Sequence, residues 1–532
     1  MQLEWLDWMF IAGYGVLAFG IGVYCSKRAS ASISEFFIAG GKLPWWLAGT
    51  SIVATTLAAD TPLAVSGFIR QGGIYKNWLW WNIMFGGLMM VFFYARLWRR
   101  ANLLTDMEFT ELRYGGRPAA ILRGFGAIFG GVITNCVTMG WVILAMTKIL
   151  EVMLGWDNKV VSIAVLMGLA LVYTILSGFW GVVLTDLIQF TIAMIGSITL
   201  AGIVLWKVGG PSGMVELIRA DPNFSPAVLH FVPHWNLGGL ALATFVIQVS
   251  VLWWGAGQGG GYIAQRLFAT KNETHSVLAA LWFNFAHYVL RPWPWIIVGL
   301  VSIVYFPLQT LDDPERAYPL MIAQFMPIGL RGLMVASLLA AFMSTIDTQL
   351  NWGASYLIND LYKRFMVRNA SEKHYVLASR VSMLLIVALG AIAAWLSDSI
   401  AGLWVFLFKL GAGAGLLGLL RWYWWRPNAW SEISAMAGSL VIANGIFFLR
   451  WYNAALQLLT DYEISPTFIA RMEWFYATDQ YALNMLFIIA VCTAIWLAVT
   501  YLTRPVPEDK LLTFYHRVRP GGWWGPIAAQ CP

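Results

Sequence analysis

Apolar runs of about 20 residues or more recur from residue 7 to about residue 503, separated by short polar segments. A run of that length crosses the ~30 Å hydrocarbon layer as one helix, and a helix satisfies its own backbone in lipid. About thirteen spans are expected, centred near residues 16, 56, 88, 136, 168, 194, 250, 289, 344, 386, 412, 440 and 492. The pattern predicts one all-α polytopic membrane domain over residues 1–503. A polar, basic, Gly/Pro-rich tail over 504–532 is expected to be a simple extension. The longest connections, about Gly209 to Trp235, Pro307 to Pro327 and Trp451 to Gln480, carry Pro and mixed polar residues, as surface helices or lids do.

Three spans break the apolar pattern. In LLAAFMSTIDTQLNWGASYLINDLY (Leu338 to Tyr362), Ser344, Thr345, Asp347 and Thr348 fall together at mid-depth. A carboxylate there is costly unless it is paired, ion-bound or facing water, and adjacent hydroxyls suit a small monovalent cation. The second span contains Ala58-Ala59-Asp60-Thr61-Pro62, where proline removes a backbone donor. The seventh ends in Trp254-Gly255-Ala256-Gly257-Gln258-Gly259-Gly260-Gly261, too Gly-rich for a helix interior. Two readings stand side by side. The pair is either a proline kink and a close-packing glycine patch, or the matched breaks of a transporter built from inverted repeats.

Composition narrows the class. The chain is 59% hydrophobic and 11% charged, against roughly 25% charged in soluble domains. The net charge of +7 sits in loops that alternate with mixed or acidic ones such as Thr310 to Ala317. Arg99, Arg100, Arg113, Arg117 and Arg123 mark one such loop, and Lys363, Arg364, Arg368, Lys373 and Arg380 another. The positive-inside rule then puts the N-terminus outside and the C-terminus in the cytoplasm, the plasma (inner) membrane being the expected location, and a nucleic-acid partner is not expected. The start, MQLEWLDWMF, lacks a basic leader, so the first span is expected to be retained. The four Cys share no metal-ligand or disulfide spacing. No nucleophile, base and orienting group converge, so no enzyme is expected.

Four motifs in order carry a resemblance: FFIAGGKLPWWLAGTSIVATTLAAD (Phe36 to Asp60), TDLIQ (Thr185 to Gln189), IAQRLFATK (Ile263 to Lys271) and LLAAFMST…NDLYKRF (Leu338 to Phe365). Together they resemble the sodium:solute symporter family. The resemblance implies a LeuT-like fold of two five-helix inverted repeats, spans 2 to 6 and 7 to 11, with extra flanking spans. It implies a sodium site made by the carbonyls of Ala54, Leu57 and Ala341 and the hydroxyls of Ser344 and Thr345. Their chemistry agrees, since Ala341, Ser344 and Thr345 share one helical turn and five neutral oxygens suit a monovalent ion.

The resemblance also places Asp186 on the inner ion route and, with Ser344, Asp347 and Thr348, in a possible second sodium site. Asp347 stands where relatives use a hydroxyl. It either strengthens that site, carries a proton or neutralises a basic neighbour. Arg291 and Lys409 are the basic candidates, as partners of Asp60 and Asp347 or as clamps for an anionic solute. Asp60, Thr61, Trp81, Gly260 and His287 complete the candidate solute contacts, and Trp80, Trp253 and Trp254 offer ring faces. The function implied is sodium-coupled import of a small polar organic solute by alternating access, with Na+, the solute and the lipid bilayer as partners. A solute sensor on the same fold and a proton-coupled carrier are the alternatives. Solute identity, ion count and oligomeric state do not follow from the sequence.

Overall fold

A computed structural model describes residues 3–29, 41–220, 226–233, 239–255, 257–307, 311–460, 462–477 and 480–531. Phe36 to Gly40 of the first motif, Ala256 of the glycine run and the side chain of Cys25 lie outside the described residues. Among these residues eight helices are long and apolar enough to cross a bilayer, or ten if each of two bent pairs is one span. Three shorter apolar helices, Trp5–Ile21, Lys159–Val172 and Ala241–Gly255, accompany them. Every centre read from the hydropathy falls inside one of these helices. Where two spans were expected near 168 and 194, one helix runs from Lys159 to Lys207. The intervening VYTILSGFWGVVL has neither a charge nor a proline to end it.

Both expected interruptions are present. The second span is two helices, Trp45–Thr56 and Asp60–Gly72, bent by 56°. The break falls at residues 57–59, slightly before the segment expected from sequence. Pro62 therefore sits in the first turn of the second half-helix, where its missing N–H costs nothing. In the seventh span the helix Gly239–Val251 tightens into a 3₁₀ turn at Leu252–Gly255, and helix resumes only at Tyr262. Gly259 and Gly261 have φ of +69° and +67°, a region that side chains with a Cβ rarely enter. Asp106 fastens this turn by accepting the Gly261 N–H at 2.8 Å and the Tyr356 hydroxyl.

The helix Leu330–Ser355, extended by π-helical turns over Tyr356–Met366, is the axis of the molecule. Its most apolar window is 89% buried, against 28% for Glu372–Trp395, which faces the surroundings. It packs against the helices Trp5–Ala29, Asn135–Leu154, Lys159–Lys207 and Trp45–Thr56. At its C-terminal end Arg123 pairs with Asp360 (2.7 Å) and Glu111 (2.6 Å), and Glu111 also meets Arg364 (2.9 Å). The expected acidic loop TLDDPERA is not simply solvated. Lys148 draws in Glu315 (2.5 Å) and Asp313 (2.7 Å), and Glu315 caps the helix Ile400–Tyr423 through the N–H groups of Ile400 and Ala401.

The C-terminal segment packs against the helical domain. Its helix Glu508–Val518 buries Leu511, Phe514 and Val518, because three apolar residues spaced by three and four form one face. The Arg113 guanidinium lies over the rings of Phe514 (5.4 Å) and Trp524 (4.8 Å) while donating to the carbonyls of Arg421, Trp424 and Trp425. Phe514→Ala should therefore cost about 3–5 kcal/mol locally. The expected readout is faster tryptic cleavage at Lys510 and Arg517, with the thermal midpoint of the spans little changed.

Candidate functional site

The last carbonyls of a helix have no partner within it, and at residues 57–59 they are freed inside the protein. Val53 O accepts from Leu57 N–H (2.9 Å) and Arg291 Nη1 (3.0 Å), and Ala54 O accepts from Leu57 N–H (3.0 Å). Thr56 O accepts from Arg291 Nη2 (3.0 Å), and Thr55 O from the Thr345 hydroxyl (2.7 Å). The same hydroxyl lies 3.2 Å from Ala341 O on its own helix. Thr345 thus joins the broken span to the central helix.

Ser344, one residue earlier, turns to another side and donates to Asp186. Asp186 also accepts from Ser51 Oγ at 2.5 Å and lies 4.0 Å from Arg266 Nη2. Arg266 in turn donates to Ser51 (3.2 Å), Thr55 (3.3 Å) and Thr348 (2.7 Å), and the Thr55 and Thr348 hydroxyls meet at 3.1 Å. Asp186, Arg266 and Asp347 are all fully buried. Arg266 was not singled out as a partner from sequence, although it sits within IAQRLFATK, five residues after the glycine run. An arginine so close behind a helix break was the available signal.

Asp347 points elsewhere. Its partner is the Thr174 hydroxyl, and its Oδ2 has none among the described residues. The basic candidates make their hydrogen bonds to backbone and hydroxyl groups. Arg291 caps the broken helix as described and packs its guanidinium over Trp295 (5.1 Å) and Trp80 (5.9 Å). Lys409 donates to Tyr476 O at 3.2 Å. No contact within 4.0 Å joins either of them to Asp60 or Asp347, although Arg291 lies near enough to attract the Asp60 carboxylate.

A cavity of about 280 Å3 opens beside the break. Asp60, Thr61 and His287 line it with Thr55, Thr56, Thr345 and Gln349, and the rings of Trp80, Trp141, Tyr262, Tyr288 and Trp404 form much of its wall. His287 Nδ1 is 3.0 Å from the Thr56 hydroxyl. Trp81, Gly260, Arg291 and Lys409 do not line it. Trp81 stacks on Phe231 (6.0 Å), and Gly260 lies beside Asp106. Thr345 belongs both to the cavity wall and to the bond across the break.

A bundle of membrane helices with two unwound spans, carrying hydroxyls and carbonyls beside a small cavity, is the architecture of a carrier with a LeuT-like fold. The chain belongs to the sodium:solute symporter family, whose profile matches residues 36–441. It is 24% identical to sodium/glucose cotransporter 4 of Danio rerio over 98% of this chain and 81% of that protein. It is likewise 24% identical to the sodium/glucose cotransporter of Vibrio parahaemolyticus, over 86% and 87% of the two chains. A Na+-coupled sialic acid symporter in a substrate-bound outward-open state superposes with a TM-score of 0.70. It shares 19% identity and covers 95% of this chain and 99% of its own. The protein is therefore a sodium-coupled symporter of a small solute, not an enzyme, and sodium is its coupling ion.

Removing the cation beside a buried carboxylate costs about 3–5 kcal/mol. Arg266→Gln should therefore lower the thermal midpoint markedly. Adding Asp186→Asn should recover part of the loss, and a double-mutant cycle reads the coupling.

Proposed function

We propose that the chain imports a small polar organic solute across the plasma (inner) membrane by alternating access, with its N-terminus outside and its tail cytoplasmic. One observation carries the reading: the Thr345 hydroxyl spans the carbonyls of Ala341 and Thr55, so the same atoms tie the central helix to the broken span. A sodium ion held by the carbonyls of Ala54, Leu57 and Ala341 and the hydroxyls of Ser344 and Thr345 strengthens that tie. The donor set fits such an ion, being neutral oxygen, and among the described residues no three His, Cys, Asp or Glu side chains converge. Asp186, Asp347 and Thr348 are the residues proposed for a second ion or for the ion's inward route.

Sodium that orders the break also shapes the adjoining cavity, so it raises solute affinity. Linkage requires the solute to raise sodium affinity by the same factor. Rocking of spans 2, 3, 7 and 8 against the other repeat helices then exchanges the open side. At −100 mV each inward charge contributes about 2.3 kcal/mol, roughly a fiftyfold concentration factor.

Ser344→Ala combined with Thr345→Ala should remove sodium activation of uptake in proteoliposomes while the protein still folds. Sodium activation that is unchanged would contradict the site. Asp347→Ser should lower the sodium:solute ratio if Asp347 serves a second ion.

A further inference from the structure

The unwound turn of span 7 is fastened to span 11 by a charged side chain. Arg421 is 6% exposed near the inner end of the span 11 helix, Ile400–Tyr423. It donates from Nη2 to Gln258 Oε1 at 2.8 Å and from Nη1 to Glu432 Oε2 at 3.0 Å, and its guanidinium lies 4.5 Å from the Phe109 ring. Gln258 belongs to the stretch between the 3₁₀ turn Leu252–Gly255 and the helix Tyr262–Phe268. Glycine lets the two segments close there. A Cβ on Gly415 would fall 2.7 Å from Gly255 N, and one on Gly418 2.8 Å from Gln258 Nε2. The end of span 11 is itself held from outside, since Arg113 donates to Arg421 O at 3.1 Å and Trp524 Nε1 of the tail to Trp422 O at 2.9 Å. Span 3 meets the same end through two bonds, Tyr94 hydroxyl to Leu419 O (3.2 Å) and Tyr423 hydroxyl to Phe93 O (2.8 Å).

Rocking carries spans 3 and 7 together past span 11, so these three bonds must part. Bonds inside the moving group, such as Trp98 Nε1 to Gln258 O (2.6 Å), need not. Of the three, only the one from Arg421 involves a charge, which makes it the strongest. Resting on the alternating-access reading and orientation given above, we propose that Arg421 is a positioning residue that latches span 7 to span 11 on the cytoplasmic side. The departure of Gln258 from it is the step that opens the cavity inward. Its pairing with Glu432 makes the latch reversible. Glu432 stands on the helix Ala429–Ala443, outside the moving group, so Arg421 keeps its carboxylate partner when Gln258 leaves. A neutral amide is released and no buried charge is stranded, whereas a carboxylate at residue 258 would make every opening separate an ion pair.

The test uses the full chain in nanodiscs, with its native Cys replaced by Ala and spin labels at Lys271→Cys and Arg368→Cys, two exposed positions on the moving and the static side. The distance distribution between the labels, taken in sodium and in potassium, gives the ratio of inward-open to inward-closed molecules. Gln258→Ala removes the latch bond and leaves the Arg421–Glu432 pair, so this ratio should rise about tenfold. Trp98→Phe removes a bond to the same residue inside the moving group and should change the ratio less than about twofold. Where Arg421→Met and Glu432→Gln have removed both charges together, adding Gln258→Ala should also change it less than about twofold. A ratio that does not rise in Gln258→Ala overturns the latch. So does a tenfold rise in Trp98→Phe, or one caused by Gln258→Ala in the background lacking both charges. In each of these cases two distance populations leave the rocking reading standing. A single population in both salts overturns the rocking itself, and the latch with it.

Discussion

Everything in this molecule hangs on backbone carbonyls that a broken helix leaves without partners inside the protein. In water such groups are satisfied at no cost, whereas buried ones must be answered one by one. Here the answers come from three directions. Leu57 N–H closes a tight turn, the Arg291 guanidinium caps Val53 and Thr56, and the Thr345 hydroxyl reaches across from the central helix. Arg291 also places positive charge at the negative end of the helix dipole. The break is thus held in place.

The second constraint is charge. Asp186 and Asp347 are fully buried, but their surroundings differ. Asp186 accepts two hydroxyl bonds and has Arg266 at 4.0 Å, while Asp347 has one hydroxyl and no cation within 4.0 Å among the described residues. A carboxylate with hydroxyl donors and a guanidinium already has partners of both kinds. One with a single hydroxyl is where an added cation or proton has the most to gain. The asymmetry separates the two acidic residues that sequence spacing had grouped, and it explains why one relay binds the Trp45–Thr56 helix to the central helix twice, through Thr345 and through Arg266 and Thr348.

Hydropathy alone located the helices because burial in lipid demands long apolar runs whatever the tertiary contacts. It read two spans near residues 168 and 194 where one helix runs from Lys159 to Lys207, since helix continuity depends on local bonds and VYTILSGFWGVVL offers no terminator. The break in the second span was legible through Pro62, yet displaced by two or three residues, because proline is tolerated one turn inside a helix start. The roles of Arg291 and Arg266 were not legible. A buried guanidinium can meet a carboxylate, a carbonyl or a solute, and only the fold decides which lies at hand. The packing of the tail was hidden for a related reason: its composition is polar and basic, but Leu511, Phe514 and Val518 share one face, and Trp524 lies where Arg113 can stack on it.

If an ion joins the broken span to the central helix, both segments should stiffen together when it binds. Backbone hydrogen exchange of the full chain in nanodiscs, compared in sodium and in potassium at equal ionic strength, reads this directly. Sodium is expected to slow exchange both at residues 54–61 and at residues 341–348. Identical exchange in the two salts, or protection of only one of these segments, would contradict the account.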